Sequence, residues 1–231
     1  MKIVVNHLTR MQAGYICVAG INLANGQHVR PTMPGRLPVS LLARNGGPFD
    51  MAAIVDLGTA LYDGSRPEVD DYRFDPLRIQ QVETVSGDTF WRYLQAAARP
   101  RLSQLFGADL RAHGRGCVVA VGHGIASLGC LIPQERPLLA VDERGSVRMT
   151  LTDGVFSPNV SVTDIRLFQE DHQTPNLTLI EQVNQRMRDT SEIILSVGLG
   201  RQWQKPGDSE ARHWLQVNNI HLRDQPIWQL G

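Results

Sequence analysis

Arginine is the residue type of this chain best suited to recognition chemistry. Lys2 and Lys205 are the only lysines among 23 basic residues, and a guanidinium, unlike an ammonium, gives flat bidentate contact with a phosphate or a base edge and can also stack. A codon bias towards arginine gives the same count without any site. Two groups stand out by position. Arg10, His28, Arg30 and Arg36 surround one predicted hairpin, where Arg30-Pro31 keeps the chain extended. Arginines there can contact phosphates or pair with guanine, or Arg30 can pair internally with Asp50 or Asp56. Arg201, Trp203, Lys205 and Arg212 form the second group. An aromatic with cations beside it is the arrangement that stacks single-stranded nucleic acid. Trp214, at a strand start, and Trp91, on a helix, read as packing residues.

Other chemistries find less support. The seven histidines and three cysteines show no Cys-x-x-Cys, His-x-x-x-His or His-Glu-x-x-His spacing, so no metal site is expected. Cys17, Cys117 and Cys130 are widely separated and read as buried reduced thiols. A thiol-hydrolase site would require folding to join Cys130, His123 and an acid, and Gly122-His123-Gly124 reads more simply as a turn. Gly198-Leu199-Gly200 lacks the spacing of a dinucleotide loop, and no Gly-Lys-Ser/Thr phosphate loop is present. Asp70-Asp71 and Glu170-Asp171 are adjacent acids, which in polar loops are usually solvated. No catalytic residues, metal or cofactor are therefore expected.

Net charge is zero, so attraction of a phosphate polymer must come from a local patch. With 42% hydrophobic and 20% charged residues in 231, the chain can bury a core. No segment approaches the roughly 18–20 apolar residues of a membrane span, and the thiols suit a cytosol, so the expected location is cytoplasmic.

The elements that must position these residues are mostly strands. Tyr15 to Pro31 reads as a hairpin around Ala24-Asn25-Gly26-Gln27, because Asn-Gly tolerates positive φ. Met51 to Leu61 reads as a buried strand and Leu77 to Val85 as an edge or bulged one. A helix starts near Thr89, and Pro100 kinks it or opens a second short turn. Strands follow at Cys117–Val121 and Ser127–Ile132, and Pro133 to Pro137 marks a boundary, placed at 134/135. Beyond it come a hairpin over Leu138–Leu151 turning at Asp142–Gly145, a strand over Asn159–Phe168 and a helix opened by Thr178-x-x-Glu181. Strands Glu192–Leu199 and His213–Leu222 complete the chain. Three strands, a helix and two strands is the order of an OB-fold, whose faces and loops commonly meet oligonucleotides. The expected fold is mainly β: two tandem OB-like barrels, each with one helix, residues 1–134 (helix near 89–106) and 135–231 (helix near 178–188). A single fused barrel or sandwich is the alternative.

NHLTRM-x-x-GYICVAG at Asn6–Gly20, HVRP at His28–Pro31, GGPFD at Gly46–Asp50, IVDLG at Ile54–Gly58 and HWLQVNNIH at His213–His221 resemble the prokaryotic dual OB-domain family. The resemblance implies two OB domains associated with nucleic acid, and with mobile-element or antiviral defence systems. It supplies no catalytic set. The reading that follows is a non-enzymatic module for single-stranded or structured DNA or RNA, acting within a larger protein complex. A protein- or small-ligand-binding adaptor is the alternative.

Overall fold

The computed structural model describes residues 1–12 and 14–228. Its first sheet is built from β1 (Lys2–Arg10), β2 (Tyr15–Asn22), β3 (His28–Thr32), β4 (Leu37–Pro38), β5 (Ala53–Asp56), β6 (Leu61–Tyr62), β7 (Asp71–Arg73) and β8 (Gln80–Thr84). They lie in the order β6-β7-β3-β2-β1-β5-β8, with β4 on β2. The predicted hairpin is β2–β3, and Gly26 takes φ 73° at its turn. Strand β8 is the expected edge strand, and its pairing with β5 carries the expected irregularity.

The second sheet uses β9 (Ala98–Arg99), β10 (Arg111–His113), β11 (Gly116–Ala120), β12 (Leu128–Leu131), β13 (Leu138–Val141), β14 (Val147–Thr150), β15 (Asn159–Val162), β16 (Ile193–Leu199) and β17 (Arg212–Leu222). Their path is β13-β14-β15-β17-β16-β12-β9, with β11 on β17 and β10 on β11. Asp142 makes the β13–β14 turn by accepting the Arg144 and Ser146 N–H groups on its side chain. Strand β15 ends at Val162, short of the expected Phe168, because Asp164 caps a 3₁₀ turn over Ile165–Leu167.

Three helices accompany the sheets: α1 (Gly87–Ala97), α2 (Leu102–Phe106) and α3 (Leu177–Asp189). Ser86 caps α1. Helix α3 starts on Asn176, whose side chain accepts the Leu179 N–H, so the Thr178–Glu181 box is not its cap; asparagine two positions earlier caps equally well. Phe90, Trp91 and Leu94 of α1 join the first sheet's core, whereas Leu102, Leu105 and Phe106 of α2 join the second's. The expected helix near 89–106 is thus two helices serving different cores, with Pro100 followed by a second short turn instead of kinking one helix. Residues 98–131 also add β9 to β12 to the second sheet, so the sheets part between Thr84 and Ala98 and the expected boundary at 134/135 falls inside the second sheet. No described helix is long and apolar enough to cross a membrane.

The sheets meet along a buried polar seam. Asn219 of β17 acts like a neighbouring strand towards β1, accepting the Leu8 N–H at 2.7 Å and donating to the Leu8 carbonyl at 3.1 Å. Ser196 donates to the Asn6 carbonyl at 2.9 Å and meets His221 Nε2 at 2.9 Å, while Asn218 meets His7 Nδ1 at 3.0 Å. Burial holds the histidines neutral. It is the first cause lowering His28 to about 4 and His221 to about 3, and it takes His7 well below its ordinary value with help from His28 and His221.

These depressed values set an acid sensitivity. Above pH 6.5 the histidines are neutral folded and unfolded, so their contribution is complete. Below it the unfolded chain takes up protons that the fold refuses, and stability falls by up to about 1.4 kcal/mol per histidine per pH unit. Urea unfolding is expected to shift to lower midpoints between about pH 6.5 and pH 5, before carboxylates titrate. A flat profile there would show that the seam admits charged histidines.

Candidate nucleic-acid interface

Two concave surfaces carry the arginines. One, of about 830 Å³, lies on the second sheet against the loop from Gly200 to Arg212 and is lined by Arg115, Arg144, Arg148, Arg201, Trp203, Lys205 and Trp214. Strand alternation places Arg148 there: Val147 and Met149 on either side enter the core, so the residue between them points the other way. Its guanidinium is fixed by Asn159 Oδ1 at 2.9 Å, Ser161 Oγ at 2.6 Å and the Asn159 carbonyl at 2.6 Å. Burial pulls its pKa below the ordinary arginine value. Asp142 and Asp208 are the carboxylates lining this groove.

The loop is shaped by a reciprocal backbone bridge between Trp203 and Arg212, at 3.0 and 3.1 Å. Trp203 remains 53% exposed. Trp214 is only partly buried, contrary to the expectation of a core residue: its N–H donates to the Trp203 carbonyl at 3.3 Å, and the Lys205 amine sits 5.3 Å from its ring centre. Trp91 is buried, as expected of a packing residue. Arg212 lines neither concavity; its guanidinium turns to Asp208 at 3.5 Å and Glu210 at 3.6 Å.

The second surface, a cleft of about 510 Å³ between the sheets, is lined by Arg10, Arg30, Arg36 and Arg201. Arg10 lies 4.0 Å above the Phe168 ring, and burial lowers its pKa. Arg36 is exposed beside Tyr15. Arg30 is buried and pairs with Asp71 at 2.5 Å, neither with Asp50 nor with Asp56; Asp56 instead accepts the Gly58 N–H at 2.9 Å. The same Asp71 holds Arg201 at 2.7 Å, and Glu68 holds Arg201 at 2.9 Å. Asp70 is buried too, accepting the Ser127 N–H and hydroxyl at 2.8 and 3.0 Å. The Asp70-Asp71 pair is therefore a structural clasp, not a solvated loop. Glu170 and Asp171 are exposed.

The predicted site residues thus divide. Arg10, Arg30, Arg36 and Arg201 share the cleft; Arg201, Trp203 and Lys205 share the groove; Gly200, Arg201 and Gln216 line both. His28 lies in neither, lining a third cavity instead. Sequence reasoning missed Arg115, Arg144 and Arg148, although the period-2 pattern of Val147, Arg148 and Met149 was a usable signal.

The thiol arrangement differs from the one considered from sequence. Cys130 Sγ lies 3.7 Å from His28 Nε2 and 3.3 Å from Asn6 Nδ2, whereas His123 is exposed in its turn. Burial pushes the Cys130 thiol up to about 12 and Cys117 to about 11, which keeps both protonated at neutral pH and poor as nucleophiles. No group of three or more potential metal ligands occurs among the described residues.

A family model described as a dual OB-containing domain matches residues 1–220. No curated protein matches the chain. Among solved structures, the chain is similar to a murine DNA-binding protein bound to double-stranded DNA, at 12% identity and a TM-score of 0.33, over 94% of this chain and 91% of that one. It is also similar to the Ifi202 HINa domain in complex with 20-base-pair DNA, at 9% identity and a TM-score of 0.35, over 96% and 93%.

Proposed function

Since the chain belongs to the dual OB-containing domain family, we propose that it binds nucleic acid non-enzymatically, along the groove of the second sheet and the cleft beside it. The observation that carries this reading is Arg201 at the junction of two arginine-lined concavities. A neutral molecule with a local basic tract gains phosphate affinity where the cations converge. Exposed Trp203 favours a single strand, whose unstacked bases offer faces to an aromatic ring. A defence or mobile-element setting rests on the family resemblance, and a cytoplasmic location on the isolated thiols and the lack of a long apolar segment; a larger protein complex is the partner proposed with them. We place the domain division with the sheets, between Thr84 and Ala98.

Fluorescence anisotropy with labelled single-stranded DNA, RNA and duplex DNA tests the proposal. Binding tighter than about 10⁻⁴ M that weakens with salt is expected, and its absence for all three would overturn the reading. Trp203→Ala is expected to weaken single-strand binding by about 1–3 kcal/mol without unfolding the protein. Arg144→Ala should lower affinity across sequences and reduce the salt slope by about 1. Binding confined to a protein or small-molecule ligand, with no salt-sensitive polynucleotide binding, would favour the adaptor alternative.

A further inference from the structure

The third cavity has a different chemistry. It encloses about 830 Å³ where hairpin β2–β3, the β6–β7 edge, the end of α1 and strand β12 meet. That volume lies within the ~300–1,000 Å³ range of small-molecule sites. Tyr62, Tyr72 and Tyr93 line it together with the amide side chains of Asn22, Gln27 and Gln104.

Its charged groups are few and in part engaged. The Arg99 guanidinium bends back to the Ala96 and Ala98 carbonyls at 3.2 and 2.8 Å. Asp70 is held by Ser127, and burial keeps His28 neutral. Arg99 is the single arginine among the lining residues, so a phosphate would not find the several guanidiniums that line the cleft and the groove.

Most of the neutral groups have hydrogen-bonding capacity to spare. Asn22 Oδ1 accepts the Ala24 N–H and Gln27 Oε1 accepts from Asn25 Nδ2, which leaves the NH2 groups of Asn22 and Gln27 to donate. Among the described residues, the hydroxyls of Tyr62, Tyr72 and Tyr93 and the amide of Gln104 have no hydrogen-bond partner in the protein. Tyr62 is 59% exposed on a two-residue edge strand and meets Tyr72 edge to face, with ring centres 5.5 Å apart. Such a contact leaves ring faces open for a flat ligand.

We propose that this cavity binds an uncharged planar heterocycle of nucleobase or nucleoside type, stacked on Tyr62 and read along its edge by the amides and phenols. Amides offer adjacent donors and acceptors, which match the edges of a base. The ligand is either a free nucleoside or one base of a bound strand, and the chemistry is the same for both.

Isothermal titration of the intact protein with adenosine, guanosine, cytidine and uridine tests it, with maltose as the carbohydrate comparison. At least one nucleoside is expected to bind at or below about 1 mM. Tyr62→Ala should weaken it at least about fivefold, Gln104→Ala should weaken it as well, and Trp203→Ala in the other groove should leave it unchanged. Retention of the circular dichroism spectrum keeps loss of binding distinct from loss of fold. If Tyr62→Ala also weakens the oligonucleotide, the base comes from the strand; if oligonucleotide affinity is unchanged, the site takes a free nucleoside. Silence from all four nucleosides at about 10 mM, above the ~1 mM of a weak site, would overturn the proposal. So would binding indifferent to both substitutions, or binding of maltose instead. Salt-sensitive oligonucleotide binding can survive any of these failures, because its arginines line other surfaces.

Discussion

Asp164→Ala is expected to lower unfolding free energy by about 3–5 kcal/mol, the usual loss when one partner of a buried ion pair is removed. Asp164 is fully buried and accepts from Arg166 Nη2 at 2.7 Å, Arg166 Nε at 2.9 Å and the Ile220 N–H at 3.1 Å. Arg166 also donates to the Ile220 and Trp228 carbonyls and lies 3.7 Å over the Trp228 ring. Without the carboxylate, that guanidinium keeps its neutral acceptors but loses its counter-charge, and the Ile220 N–H loses its acceptor. Asp164 also lies beside the first sheet, where its backbone forms a bridge with Thr9 of β1. Urea unfolding monitored by tryptophan fluorescence gives the loss directly. A double-mutant cycle with Arg166→Met should show strong coupling, because removing both charges leaves neither one buried alone. A loss below about 1 kcal/mol, the range of exposed pairs, would mean that water reaches the pair.

Legibility from sequence follows the range of the interaction. The β2–β3 and β13–β14 hairpins were readable because their turns depend on residues within four positions, Asn25-Gly26 and Asp142 with Gly145. Helix α1 was readable from Phe90 and Leu94 on one face. The partner of Arg30 was not, because Asp71 lies 41 residues away on a strand parallel to β3. Asp70-Asp71 has the local appearance of a solvated turn, and only the β3–β7 pairing buries it. The same limit hid the division between sheets: Pro133 and Pro137 mark a local break, whereas β12 joins β16 by pairing Leu131 with Leu195. Of the candidate site, the sequence grouped Arg10, His28, Arg30 and Arg36 by their nearness to one hairpin; His28 lines the third cavity and the three arginines line the cleft. That Arg201 joins them depends on the contact between sheets, which no local pattern carries.

Asp71 is where stability and binding compete for the same charges, and Asp71→Ala is expected to cost about 3–5 kcal/mol. It would strand Arg30, which is 5% exposed and whose Nη2 already has no partner. Arg201 is different: its side chain is 52% exposed, so its pairs with Asp71 and Glu68 are solvated and each contributes about 0–1 kcal/mol. A phosphate approaching Arg201 must compete with both carboxylates. Glu68→Gln separates the roles, because it removes one competitor and leaves Arg30–Asp71 intact. Its expected result is near-wild-type stability, tighter oligonucleotide binding, and a log–log salt dependence steeper by up to about 0.7–0.9 if one further phosphate is engaged. Asp71→Ala should instead show the stability loss in urea whatever happens to binding. If Glu68→Gln changes neither affinity nor salt slope while the wild type does bind, Arg201 makes no phosphate contact. The strand would then follow Arg144, Arg148 and Trp203 on the second sheet without entering the cleft.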